Sequence, residues 1–93
     1  MSNLRDLAGG SYLVRADGDS LEIPGAWGSI YPYSERTGTL AVLAQADCTI
    51  RKLAHLGLKV VQRGQSEAAF VFDPKLLHQV AAIIRAAKKR PGA

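Results

Sequence analysis

Three features of the chain predict a small α+β fold, a two-layer sandwich in which a mixed, mostly antiparallel sheet carries two helices on one face. Apolar and polar residues alternate over 12–16 and 20–23, the period of a strand with one buried side. Two short runs rich in β-branched and aromatic residues, 58–62 and 68–72, flank a turn at 63–66, the pattern of a hairpin. Asp73-Pro74 precedes apolar residues at helical spacing, a cap followed by proline where its missing N–H costs nothing. The 93 residues suffice for a single domain spanning 1–93, because separate cores each need on the order of 100 residues. At 47% hydrophobic and 22% charged the composition is that of an ordinary globular chain.

Taken in order, residues 1–10 are expected to form an arm, because Asn3 and Gly9 bracket at most two helical turns, too few to hold without packing. Tyr12, Val14 and Ala16 share one face of a first strand, and 20–23 alternates again after Asp17-Gly18-Asp19. Asp and Gly tolerate the positive φ of a tight turn, so these strands read as a hairpin. Pro24-Gly25 closes the second strand, and 26–33 reads as an irregular edge strand because Pro32 lacks a ladder donor.

The stretch 39–56 has two readings. Leu40, Leu43, Ala44, Ile50, Leu53 and Ala54 roughly keep helical spacing, but Asp47-Cys48-Thr49 are weak helix formers in an interior and Asp is a strong cap. The segment therefore divides into a buried strand at 39–45 and a helix at 48–56, capped by Asp47 and ended by Gly57 in the left-handed region. Ile50, Leu53 and Ala54 face inward on that helix, and Arg51, Lys52 and His55 face outward. The last helix runs from Pro74 to about Lys89, with a stripe at 76, 77, 80, 81, 83, 84 and 87 and with Lys75, Gln79 and Arg85 outside it; 91–93 is a tail.

A strand-helix-strand crossover favours parallel neighbours, and the hairpin at 63–66 adds an antiparallel strand. Each helix has one apolar stripe and covers one sheet face, so the opposite face stays at least partly open. Alternate residues such as Arg15, Glu22 and Lys59 are expected there.

The net charge of +4 is unevenly spread. Residues 1–47 hold three basic and six acidic side chains, net −3, whereas 48–93 hold nine and two, net +7. A clustered positive field attracts polyanions, so Arg51, Lys52, Lys59, Arg63, Lys88, Lys89 and Arg90 are the candidate residues for a nucleic-acid surface. The terminal cluster has a second explanation, since cations at a helix C-terminus complement the helix dipole by about 0.3–1 kcal/mol each.

Enzymatic and metal chemistry find no constellation. Cys48 and His55 are seven residues apart on one helix, about 10 Å of rise and too far to share an ion. Asp47 would repel a Cys48 thiolate, so that residue reads as a small packed cysteine. Ala8-Gly9-Gly10-Ser11 lacks the spacing and the lysine of a phosphate loop. No catalytic residue, metal or cofactor is expected. The run 68–72 before a helix resembles the third strand of RNA-recognition motifs over about six residues, without that signature's basic-glycine-aromatic opening. Phe70 and Phe72 therefore read as core. A helix before a hairpin is similar to a winged helix, but the two further helices of that fold are replaced here by strands.

Trp27, Tyr31 and Tyr33 place three of the six aromatics within seven residues, and aromatics among Gly and Pro are what binding surfaces use. The chain is thus expected to be a non-enzymatic intracellular module that binds protein, or itself as a homodimer, through the open sheet face or the segment 27–33. Nucleic-acid binding is the alternative, and a small-molecule ligand is left open. One cysteine and no charged-then-apolar leader imply a cytoplasmic location, and no apolar run reaches the roughly 18–20 residues of a membrane span.

Overall fold

The alternating N-terminal runs and the apolar runs after them build one sheet. The computed structural model describes residues 12–17, 20–34 and 36–87. The expected arm, the tip of the first hairpin, the tail and the Lys88, Lys89, Arg90 cluster lie outside the described residues. The elements are β1 (Arg15–Asp17), β2 (Ser20–Gly25), β3 (Gly28–Ser34), β4 (Thr39–Ala44), α1 (Asp47–His55), β5 (Lys59–Arg63) and β6 (Ala68–Phe72), then a 3-10 turn (Pro74–Leu76) leading into α2 (Leu77–Ile84). This is the expected α+β sandwich.

The strand order is β1-β2-β3-β4-β6-β5, and every neighbouring pair is antiparallel. The first half of β2 pairs with β1 and the second half with β3. The parallel partners that the crossover through α1 implies, β4 and β5, are present but separated by β6, which inserts between them. Residues paired across strands share a face, so the register sorts every side chain. One row runs Ile23, Ile30, Val42, Phe70, and all four are fully buried. Leu40 and Phe72 flank it on the same face. Onto this face α1 sets Ile50 and Leu53, and α2 sets Leu77, Val80, Ala81 and Ile84, closing one continuous core. Each large side chain so buried stabilises the fold by about 1.5–3 kcal/mol.

Four expectations change at element boundaries. Residues 26–33 are no irregular edge: β3 is an inner strand between β2 and β4. Pro32 is accommodated because beyond Ile30 the strand pairs only with β4, and a bulge at Tyr33 separates the pairs Pro32–Leu40 and Ser34–Thr39. Pro24 and Gly25 close β2 as expected, whereas the first strand is Arg15–Asp17 rather than 12–16. Asp47 is not the cap of α1; Ala46 holds that position without a side-chain bond, and Asp47 sits in the first turn, where its charge complements the helix dipole. At the other end Gly57 does adopt positive φ, +91°.

The last helix corrects the fourth expectation. Asp73 caps its opening turn by accepting the Lys75 N–H at 2.9 Å, with Pro74 next, but α2 stops at Ile84 rather than near Lys89. Arg85 takes the left-handed conformation, φ 55°. The N–H of Ala86 then donates to the Ala81 carbonyl at 2.8 Å and that of Arg85 to Ala82 at 3.4 Å, the double closure in which glycine is the usual residue. The released chain is held by the β2–β3 turn. The N–H groups of Ala26 and Trp27 donate to the carbonyls of Arg85 and Ile84, and Ala87 donates to Pro24. A Cβ on Gly25 would lie 2.7 Å from the Ile84 carbonyl oxygen, and one on Gly28 only 2.0 Å from that of Leu43. Both glycines are required by close approach.

Candidate protein-docking face

The sheet face opposite the helices is built from two rows that the register aligns. One runs Ser29, Leu43, Ala69, Gln62, and the next runs Tyr31, Ala41, Val71, Lys59. None of these side chains belongs to the helix-side core, and no helix or strand among the described residues covers them. Solvated faces of antiparallel sheets are normally polar. Here the middle of the face is apolar: Ala41 and Ala69 have 0% and 1% exposure, and Leu43, Val71 and Tyr31 in the same two rows are half-buried. Burial raises the Tyr31 phenol above its ordinary value of 10.0, with the neighbouring Tyr33 adding to the shift.

Polar groups frame this apolar centre. Exposed Lys59 and Gln62 stand on β5 at one side. At the other side Arg15, paired across the strands with Glu22, holds Glu22 Oε1 through Nε at 2.5 Å. Arg15, Glu22 and Lys59 thus occupy the face on which alternation places them. The Arg15–Glu22 pair is exposed on the arginine side and contributes about 0–1 kcal/mol.

The aromatic trio is divided by its positions on the hairpin. Tyr31 lies in the open face, Tyr33 is the bulged residue beside it, and Trp27 occupies the β2–β3 turn against the end of α2. Trp27 and Tyr31 are therefore about 13 Å apart along the strand. Trp27 and Tyr33 are 44% and 55% exposed, so neither closes the core.

The basic residues are also divided. Arg51, Lys52 and His55 are exposed on α1. Lys59 pairs with Val71 and stands on the opposite face, whereas Arg63 pairs with Ala68 and stands on the helix side. Phe70 and Phe72 are core, 0% and 4% exposed, and offer no stacking surface. Cys48 is exposed, not packed, because it begins α1 beside buried Thr49 and points outward. His78 accepts or donates a 2.8 Å hydrogen bond with the Tyr12 hydroxyl. A shallow cleft of about 390 Å³ lies nearby, lined by Tyr12, Ala81, Ala82, Arg85 and Ala86. Among the described residues no three His, Cys, Asp or Glu side chains group as a metal site would require, and no helix is long and apolar enough to cross a membrane.

Sequence reasoning singled out Tyr31 and Lys59 but missed Ala41, Leu43, Ala69 and Val71. Their signal was present: 40–44 and 68–72 are unbroken apolar runs, which mark strands covered on both sides. Searches against models of protein families, curated proteins and solved structures find no match for this chain.

Proposed function

We propose that this chain is a non-enzymatic cytoplasmic module that self-associates through the open face of its sheet. One observation carries the reading: β4 and β6 are apolar on both sides, and the helices among the described residues pack on one of them. An apolar centre within a polar frame is the anatomy of a protein interface. Sheet-on-sheet contact suits it, since such layers pack flat side chains about 10 Å apart. Edge-to-edge contact through β5 is disfavoured, because that exposed strand carries a bulge at Val61 and the cations Lys59 and Arg63, devices that block edge pairing.

Light scattering across micromolar concentrations tests the reading, with Leu43→Lys as the control. Wild type forms dimers as concentration rises and the variant stays monomeric, its fold stability changing by under about 1 kcal/mol. A wild-type chain that is monomeric throughout overturns the reading. So does a Leu43→Lys variant that still associates. The basic side chains Arg51, Lys52 and His55 on α1 support a second reading, nucleic-acid binding. Fluorescence anisotropy with a mixed oligonucleotide at low salt tests it, and binding that Arg51→Glu with Lys52→Glu leaves unchanged removes it.

A further inference from the structure

The cleft of about 390 Å³ lies along the second half of α2, between that helix and Tyr12. His78, Ala81 and Ala82 share one face of the helix by their spacing, and Arg85 continues the cleft wall at the helix end. Tyr12 stands against this face, its hydroxyl 2.8 Å from His78 Nδ1 and the two ring centres 5.6 Å apart. That bond orients the phenol ring, while the methyl groups of Ala81, Ala82 and Ala86 leave the space beside it unfilled. The resulting volume is in the range of small-molecule sites. Arg85 is the one charged side chain in the lining. It is exposed, and among the described residues no carboxylate pairs with it. A helix C-terminus ordinarily repels an anion, but here the carbonyls of Ala81, Ala82, Ile84 and Arg85 already accept the N–H groups of Ala86, Arg85, Trp27 and Ala26, which reduces that repulsion.

We propose that this cleft binds a small organic anion with a flat apolar body, an aromatic carboxylate, whose ring lies against Tyr12 and the alanine methyl groups and whose carboxylate pairs with Arg85. The planar guanidinium presents paired N–H donors that match a carboxylate, and an aromatic body covers an apolar wall with little loss of entropy. The proposal goes beyond self-association, since the cleft shares no residue with the open sheet face. It also gives a use to an arginine at φ 55°, where glycine would end the helix at lower cost. Glycine at that position would close α2 equally well and hold no anion.

The test titrates the full chain with naphthoate and, separately, with naphthalenemethanol, a neutral probe of the same shape, while backbone amide signals are followed by nuclear magnetic resonance. Naphthoate should shift the amides of Tyr12, Ala82 and Ala86 saturably, and naphthalenemethanol should bind about tenfold or more weakly. Arg85→Gly and Arg85→Asn both suit the left-handed backbone and remove the charge. Each should lower naphthoate affinity about tenfold, to that of the neutral probe, with the amide spectrum of the rest of the fold retained. No saturable shift at those amides with millimolar naphthoate overturns the proposal. So does equal binding of the two probes, or naphthoate binding that either Arg85 variant leaves unchanged.

Discussion

The two faces of this sheet are made by the same strands and differ in what lies over them. On the covered face the middle row is Ile23, Ile30, Val42, Phe70, and the helices supply Leu53, Val80 and Ile84 to fill the space above it. On the open face the rows alternate in size, and Ala41 and Ala69 are buried. Both sides of β4 and β6 carry apolar side chains, and the helices among the described residues pack on one of them.

Large-to-small substitutions sharpen that contrast first. Phe70→Ala should lower unfolding free energy by about 3–5 kcal/mol at any protein concentration. Val71→Ala, its neighbour on the other face, should cost the monomer under about 1 kcal/mol and weaken mainly the dimer. Urea denaturation at two concentrations separates them, and equal monomer losses would erase the distinction between the faces.

A smaller effect concerns the covered side alone. Arg85 sits at φ 55° to end α2, a conformation that costs an L-residue about 1–2 kcal/mol and glycine almost nothing. Arg85→Gly should therefore stabilise the fold by about 1 kcal/mol while leaving association untouched. Loss of stability on that change would mean that the arginine side chain contributes more than its backbone costs.

The smallest effect is the titration of Tyr31. Its phenol is raised by burial, so the folded state prefers the neutral form. The associated stability is fully present below the ordinary value of 10.0 and is lost as pH climbs through the raised value. Ultraviolet detection of phenolate should show a step of Tyr31 above the ordinary value of 10.0. Tyr31→Phe should abolish that late step.

Much of the architecture was legible because local chemistry writes it. The division of 39–56 into strand and helix was read from Asp47-Cys48-Thr49, although the break falls just before them at Gln45-Ala46 and all three are helical, and Gly57 and Asp73-Pro74 punctuate the remainder of the chain. The insertion of β6 between β4 and β5 was not legible, since strand order depends on which long-range pairs form and on no single residue. Nor was the end of α2. Its apolar period continues through Ala87, and the stop is set by Arg85 together with carbonyl bonds to the distant Ala26 and Trp27. The open face lay between these cases. Its alternate residues Arg15, Glu22 and Lys59 were readable as a frame, but the size alternation of Leu43, Ala41, Ala69 and Val71 appears only once the register joins β3, β4 and β6.

Four alanines allow the central claim to be tested within one sample. Ala41 and Ala69 belong to the open face, while Ala44 and Ala68 belong to the helix-side core. With alanine methyl groups isotopically labelled, nuclear magnetic resonance spectra recorded on dilution should shift the first pair and leave the second in place. Methyl signals of Ala41 and Ala69 that stay fixed at every concentration, or that move no more than those of Ala44 and Ala68, would contradict the account.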